Sequence, residues 1–157
     1  MVIELVKHEI TNEEFLEINQ ISDISNWIRQ ELDIACSEKS AELLDDVVFL
    51  IFQFQTFDIS LAERFNELLL VDWHFKHEDI VLLLEILKSK DSLYFLHKAV
   101  YSHPYYLDED DMHSFEKKCI RAIFQIGKEN ALSLLEDISK NFEGDIRAIA
   151  ERQISKL

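Results

Sequence analysis

Glycine and proline are scarce in this chain, whose 157 residues include two glycines and one proline. β-Sandwiches and β-barrels need many turn residues of these types, so their scarcity favours helices joined by short connections. A phosphate-binding loop needs several glycines close together, and the sequence offers no such cluster. The sequence therefore predicts an all-α protein without a nucleotide-binding fingerprint.

Long apolar runs and cysteine frameworks are missing too. The longest uncharged apolar run, residues 47–57, is about half the roughly 20 residues of a membrane span. Cys36 and Cys119 are too few for a disulfide framework, and Cys119 falls on an inward helical stripe, where a buried structural thiol is expected. No basic segment precedes an apolar one at the N-terminus, so we expect no secretory signal. The simplest interpretation is a single cytoplasmic domain over residues 1–157 that does not bind membranes.

Positive charge is in short supply as well. Lysine and arginine number 16 against 31 aspartates and glutamates, a net charge of −15. This argues against nucleic-acid binding, because phosphate contacts need a basic footprint. Residues 1–72 hold 16 acidic and four basic side chains, whereas residues 73–157 hold 15 and 12. Such an acidic half can steer a basic partner, and ordinary solubilising charge is the alternative that the sequence leaves open.

The first helix of the acidic half has a clear start signal. Thr11 followed by Glu14 is a capping-box pattern, which predicts a helix from Asn12. Residues 1–10, which precede it, are apolar enough for either a short helix or a strand. The sequence does not separate these two alternatives.

Two further helices are expected before residue 58. One begins at residues 22–23 or at Ser25, and the next is capped by Ser40. The helix after Ser40 is apolar nearly all round, which predicts burial on several sides or an exposed contact patch. The alternation over residues 52–55 also fits a strand, but the sequence offers no partner strand.

The stretch Trp73–Gly127 is self-similar to the sequence 39 residues further on. This pattern predicts two helical hairpins in tandem. The offset aligns residues 87–93 with residues 126–132, and it also aligns Ile80 with Cys119, Leu83 with Ala122, Leu84 with Ile123 and Leu96 with Leu135. A two-helix repeat near 40 residues is typical of HEAT-type arrays.

Proline and glycine residues mark the boundaries of these helices. Pro104 ends the second helix of the first hairpin, and Gly127 is expected to be the C-terminal cap of the next helix. A last helix after Gly144 has a polar outer face, as a capping helix should. The sequence thus predicts a short right-handed α-solenoid of about eight to nine helices, with acidic N-terminal helices over residues 1–72 and hairpins over residues 73–157.

His74 and His77 invite a metal-site interpretation, because residues three apart share one face of a helix. They lack the His-Glu-x-x-His spacing that places two ligands and a general base together. We therefore expect no metal and no cofactor, and we expect Trp73 and His77 to anchor the start of a helix. Paired acids such as Asp45-Asp46 fall at helix beginnings, where they stabilise the helix end. No catalytic residue and no enzymatic activity are predicted.

Three motifs carry a resemblance to a known family: Trp73-His74-x-x-His77-Glu78-Asp79-Ile80, Tyr106-Leu107-x-x-Asp110-Asp111, and Lys118-Cys119-Ile120-x-Ala122-Ile123-x-x-Ile126-Gly127. Over residues 73 to about 155, the chain resembles bacterial HEAT-repeat proteins, some of which are immunity partners of polymorphic toxins, including those of contact-dependent growth inhibition. The resemblance implies a structural network linking the hairpins, formed by Trp73, His77, Asp79, Asp110 and Lys118.

The same resemblance implies a protein partner. An immunity protein neutralises a cognate toxin by blocking its active site, and an acidic inhibitor suits a basic nuclease domain. The carboxylates expected to bind the partner are Glu13, Glu14, Glu17, Glu38, Glu42, Asp45, Asp46, Asp108, Glu109 and Asp111. A non-catalytic HEAT-repeat scaffold or adaptor that binds another protein is the competing hypothesis. The sequence leaves the oligomeric state open.

Overall fold

The computed structural model describes residues 2–107 and 112–157. Within these ranges the chain forms ten α-helices and three short 3₁₀ turns and has no β-strand, which confirms the all-α prediction. The number of α-helices exceeds the predicted eight to nine because Val2–Val6 forms a helix. The sequence alone did not decide between a helix and a strand for this segment. No helix in the described ranges is long and apolar enough to cross a membrane.

The helices group into two compact units, Met1–Asp58 and Ile59–Leu157. The first contains α1 (Val2–Val6), α2 (Asn12–Ile18), α3 (Ile24–Glu38) and α4 (Ala41–Phe54). The second contains α5 (Ala62–Leu68), α6 (His77–Leu87), α7 (Ser92–Ser102), α8 (Ser114–Gly127), α9 (Leu132–Asn141) and α10 (Gly144–Ile154), with 3₁₀ turns at Ile59–Leu61, Tyr105–Leu107 and Lys128–Ala131. Residues 59–72 thus belong to the same unit as the hairpins.

The helix starts of the first unit follow the capping signals of the sequence. The Thr11 backbone N–H donates to Glu14 at 2.7 Å and the Glu14 N–H donates to the Thr11 hydroxyl at 3.2 Å, which completes the capping box. Asp23 caps α3 and Ser40 caps α4, each accepting the backbone N–H three residues further on. Such a cap satisfies one of the four backbone donors that a helix start leaves open.

The core of the first unit forms where α2 meets the α3–α4 hairpin. Phe15 of α2 is buried, with its ring centroid 6.3 Å from that of Trp27 and 5.9 Å from that of Phe54. The Gln53 amide donates to Asn12 Oδ1 at 2.7 Å. Residues 52–55, which also fitted a strand, lie at the end of α4 and after it, because the helix buries its apolar residues and no second strand is present in the described residues.

The first helices of the two repeat hairpins, α6 and α8, pack against each other in the second unit, and α8 also packs against α7. Five of the aligned pairs are buried in both copies: Ile80, Leu83, Leu84, Leu87 and Leu96 in the first, and Cys119, Ala122, Ile123, Ile126 and Leu135 in the second. The aligned pair Leu93 and Leu132 is not, since Leu132 is 40% exposed. The repeat therefore describes the core. α10 packs on α9 and α8.

Gly127 does not have the conformation that the sequence suggested. It is the last residue of α8 with a right-handed φ of −84°, and Lys128 takes the positive φ of 47° instead. A Cβ on Gly127 would lie 2.9 Å from the Ala131 Cβ and 3.2 Å from Leu93. The prediction that Gly127 is a C-terminal cap was therefore wrong. A glycine is needed here because the side chains of Ala131 and Leu93 come close to it, and not because its backbone is left-handed.

Candidate protein-binding surface and structural network

Four of the predicted partner-binding carboxylates gather where α3 turns into α4. Glu38 is the last residue of α3, and Glu42, Asp45 and Asp46 lie in the first two turns of α4. Residues three and four apart share a helix face, so the last three project from the same side. We call Glu38, Glu42, Asp45 and Asp46 the acidic turn.

The acidic turn concentrates negative charge. Burial raises the pKa of Asp46 above its usual value, and the neighbouring carboxylates of Glu42 and Asp45 raise it further. Like charges held close together favour protonation of one of them. A cation placed against this surface relieves that repulsion, so the turn is suited to bind a basic group.

The other predicted carboxylates of the first unit lie elsewhere. Glu13, Glu14 and Glu17 are exposed on α2, whose first residue, Asn12, contacts the last turn of α4 through Gln53. The acidic residues of α4 lie seven (Asp46) to eleven (Glu42) residues before Gln53, about 10 to 16 Å away at 1.5 Å per residue. Glu14 is also held by the capping box. The structure thus brings the seven carboxylates together as two groups.

The remaining predicted acids lie in the connector between α7 and α8. Asp108, Glu109 and Asp111, predicted to bind the partner, and Asp110, predicted to join the structural network, lie outside the described residues.

The predicted structural network begins at the two histidines before and at the start of α6. His74 is fully buried, and its Nε2–H donates to the Leu68 carbonyl at 2.9 Å. Its Nδ1 accepts the Lys76 backbone N–H at 3.1 Å. A ring that donates from one nitrogen and accepts at the other is neutral. Burial lowers the pKa of His74 accordingly.

His77 repeats this arrangement three residues later, at the first residue of α6. Its Nε2–H donates to the Val71 carbonyl at 2.7 Å, and its Nδ1 accepts the Tyr106 hydroxyl at 3.2 Å. The same hydroxyl accepts the His77 backbone N–H at 3.3 Å. Burial lowers the pKa of His77 to about 4, and the neighbouring His74 lowers it too. His77 thereby joins the end of α5, the start of α6 and the 3₁₀ turn at Tyr105–Leu107.

The other predicted members of the network lie around these histidines. Trp73 packs edge-on against His74, with ring centroids 5.0 Å apart. Lys118 of α8 pairs with Glu78 of α6 at 2.7 Å, so this ion pair links the two hairpins. Asp79 is part-exposed and pairs within its own helix end, with Lys76 at 3.7 Å.

A second polar cluster, which the sequence did not predict, surrounds Glu116 in α8. Glu116 is only 3% exposed. Its carboxylate contacts His103 Nδ1 and lies 3.9 Å from His113 Nδ1. A signal was available, because Glu116 precedes Cys119 by three residues and Ile120 by four and so falls on the inward face of the helix. The cluster joins both ends of the connector between α7 and α8 to one buried carboxylate.

Tyr106 and Asn66 were missed for a different reason. Tyr106 meets His77 across 29 residues of sequence, and Asn66 lies on the buried side of α5 among apolar residues. Tyr106 belongs to one of the three motifs that carry the resemblance, but no local pattern marks it as the partner of His77, and none distinguishes Asn66 from its neighbours. Only the packing of one helix on another reveals such positions.

The second unit also contains a cavity beside the histidines and a buried cysteine. A cavity of about 230 Å³ lies beside the histidines and is lined by His77, His103 and Tyr105 together with the end of α5. Within the described residues, no group of three or more histidine, cysteine, aspartate or glutamate side chains is arranged to hold a metal ion. Cys119 is buried, and burial raises the pKa of its thiol well above the usual value.

Comparisons with known proteins gave no match: neither a family model, nor a curated protein, nor a solved structure corresponds to this chain.

Proposed function

We propose that this protein is an immunity protein that binds a cognate bacterial toxin, a basic nuclease domain, and neutralises it by blocking its active site. It acts in the cytoplasm by binding alone, without a cofactor or a catalytic step of its own. The observation that carries the proposal is the acidic turn, where four carboxylates lie within nine residues of sequence and where burial, followed by the charges of Glu42 and Asp45, raises the pKa of the half-buried Asp46. A surface with such a potential suits a phosphate-binding cleft.

The charge of the first unit supports this assignment. Met1–Asp58 contains 13 acidic and three basic residues, a net charge of −10. Charge of one sign on one partner and of the opposite sign on the other speeds association and suppresses wrong partners. A nuclease cleft lined by lysine and arginine binds the phosphates of its substrate. Carboxylates at the acidic turn compete for the same cations.

The second unit provides the frame in this proposal. The α6–α7 and α8–α9 hairpins share a 39-residue period, and most of their aligned apolar residues are buried. We infer that they are HEAT-like repeats stacked with the right-handed turn of an α-solenoid, closed by α10 as a capping helix. The neutral histidines and the Lys118–Glu78 ion pair hold the first hairpin in place.

The experiment starts from the gene next to this one. A large reading frame immediately upstream is expected to encode a toxin whose C-terminal domain stops the growth of a host cell when expressed alone. Co-expression of this chain should restore growth, and the two purified proteins should form a stable complex. A toxic domain that remains toxic in the presence of this chain would refute the immunity function.

One observation favours a second candidate, an adaptor that binds another protein through its repeat region. Tyr94 and Tyr101 are 56% and 45% exposed on α7, and exposed tyrosines are common at protein interfaces. Tyr94→Ala should weaken partner binding by an adaptor and leave toxin binding through the acidic turn unchanged, whereas Tyr101, whose hydroxyl donates to Asp137 at 2.6 Å, is left in place. A neighbouring operon of metabolic genes also points to the adaptor.

A further inference from the structure

Glu116 is a buried carboxylate whose two oxygens have different surroundings. It is the third residue of α8, and its Oε1 contacts Nδ1 of His103, the residue that follows α7. Its Oε2 is out of contact with solvent and has no hydrogen-bond partner among the described residues. Nδ1 of His113 lies 3.9 Å from Oε2, which is close enough for an ion pair but too far for a hydrogen bond. The direct contact of this carboxylate is therefore the one with His103.

The structure favours a negative charge on Glu116. Burial, and after it the charge of Glu116, raise the pKa of the Cys119 thiol three residues further along α8. The first turn of a helix also favours an anion, because the helix dipole is positive there. A buried anion is costly unless its direct partner is a cation. His103 can be that cation, since a protonated imidazole donates from both nitrogens.

The surroundings of His103 favour its positive charge as well. On its other side it lines the cavity of about 230 Å³ together with Asp72, Tyr105 and the neutral His77. Among the described residues, no lysine or arginine pairs with Glu116. The acidic side chains that α6 and α10 place near the start of α8 already have lysine partners: Glu78 pairs with Lys118, and Asp145 pairs with Lys117.

We propose that protonated His103 and Glu116 form a pH-dependent clamp, which fixes the end of α7 to the first turn of α8 and loosens when His103 loses its proton. The backbone of His103 has a φ of 34°, which side chains other than glycine rarely adopt, so the contact with Glu116 also holds a strained residue in place. Pro104 and the 3₁₀ turn at Tyr105–Leu107 follow directly. The clamp exists whether or not the protein binds a toxin.

The sign of the pH dependence follows from the partner. Glu116 is placed against His103 only in the folded chain, so the folded chain binds the proton more tightly than the unfolded chain does. The stabilisation is complete below the usual histidine pKa of about 6.5 and is lost as the pH rises above it. The neutral His77 has the opposite effect, because its stabilisation is lost in acid.

The charge of the ring can be measured directly. The ¹⁵N chemical shifts of an imidazole distinguish the charged ring from the neutral one, so a pH titration of the histidine-labelled full chain follows each ring separately. The exposed His8 is the reference in the same sample. His103 should stay charged to a higher pH than His8. If His103 loses its proton at the same pH as His8 or at a lower one, the proposal is wrong.

Variants then connect this charge to stability. The unfolding equilibrium constant of the natural chain, measured in urea, should rise between pH 6 and pH 8. In Glu116→Gln this rise should be smaller by about fivefold, because a hydrogen bond to an ionised group is about twice as strong as a neutral one. His103→Asn should have the same effect, since asparagine tolerates a positive φ and does not titrate. An unchanged rise in both variants would overturn the proposal.

His113→Asn is the matched control. It is the same substitution at another residue of positive φ, 52°, beside the same carboxylate but without direct contact. This variant should keep most of the rise between pH 6 and pH 8. His97 pairs with Asp137 and contributes in the same direction in every variant, so only the differences between variants are compared. Equal losses in His103→Asn and His113→Asn would contradict the assignment of the clamp to His103.

Hydrogen exchange reports the turn that follows the clamp. The His77 backbone N–H donates to the Tyr106 hydroxyl, so its protection factor measures how firmly the turn is held. This factor should fall from pH 6 to pH 8 in the natural chain and stay constant in Glu116→Gln. A factor that falls equally in both proteins would show that Glu116 does not hold the turn.

Discussion

The imidazole ring of His77 stacks on that of His74, with centroids 4.3 Å apart and planes 24° from parallel. Both rings donate from Nε2 to a backbone carbonyl near the end of α5 and accept a hydrogen bond at Nδ1. Each ring is therefore suited to the neutral form only. Two cations at this distance would repel each other in a buried site.

This relationship predicts a dependence of stability on pH. The pKa of His77 is about 4 in the folded chain against a usual 6.5, so the unfolded chain takes up a proton first as the pH falls. The stabilisation is complete above pH 6.5 and is lost as the pH falls towards 4, by about 3 kcal/mol. His77→Gln keeps a donor and an acceptor but does not titrate. Urea unfolding at pH 7 and pH 4 should show a pH dependence smaller by about that amount in the variant, and equal pH dependence in both proteins would contradict the expectation.

The hydroxyl of Tyr106 should contribute more to the unfolding free energy than that of its neighbour Tyr105. Tyr106→Phe leaves the His77 Nδ1 and backbone N–H without their partner, which should cost about 1–3 kcal/mol of unfolding free energy. Tyr105 is 58% exposed, so Tyr105→Phe should change stability by less than about 0.5 kcal/mol. Chemical denaturation of the two variants measures the difference. Equal stabilities would mean that the hydroxyl of Tyr106 is not part of the network.

Substitutions at Gly127 and Lys128, adjacent residues at the end of α8, should have opposite effects on stability. Gly127→Ala should destabilise the chain by about 1–3 kcal/mol, because the new Cβ meets Ala131 and Leu93 in a packed region. Lys128→Gly should stabilise it by about 1 kcal/mol, since Lys128 has φ 47° and ψ −123°, a conformation that glycine adopts without strain. Thermal unfolding tests both. An unchanged stability of Gly127→Ala would show that the close approach of the Ala131 and Leu93 side chains does not require a glycine.

Paired charge reversals should reveal which acidic group binds the partner. Glu38→Lys with Glu42→Lys changes the acidic turn, and Glu13→Lys with Glu17→Lys changes α2. Each pair alters one carboxylate near a helix N-terminus and one near a C-terminus, so the effects on the helix dipole nearly cancel. The first pair should slow association with the toxin about tenfold at low salt and flatten the salt dependence. The second pair should have a small effect. Stopped-flow association at several ionic strengths measures this, and equal effects of the two pairs would argue for non-specific charge.

Helix positions were predictable from the sequence wherever a short signal sufficed. Thr11 with Glu14, Asp23 and Ser40 mark helix starts because a cap acts on a backbone group three residues away. The 39-residue period predicted buried residues in both hairpins because burial follows helical spacing. Gly127 shows the limit of such reasoning. A glycine beside a helix end usually supplies a left-handed residue, and only the position of Ala131 explains why it is needed here.

The candidate sites depended more on the tertiary structure. His77 was expected to anchor a helix, but its partner Tyr106 is 29 residues away. Glu116 lay among charged residues of α8, and its burial against His103 follows from the path of the connector. In each case the chemistry comes from two segments that no local pattern connects.

The sequence by itself determined that this chain is helical, where most helices begin, and that its negative charge is concentrated towards the N-terminus. These properties depend on neighbours within one or two helical turns or on composition alone. The tertiary structure decided which carboxylates lie close together. The part of α4 between Gln53 and the acidic turn, about 10 to 16 Å long, separates Glu13 and Glu17 from that turn, although all of them lie within 34 residues of sequence. Distance in space, and not distance along the chain, sets the potential that a partner meets.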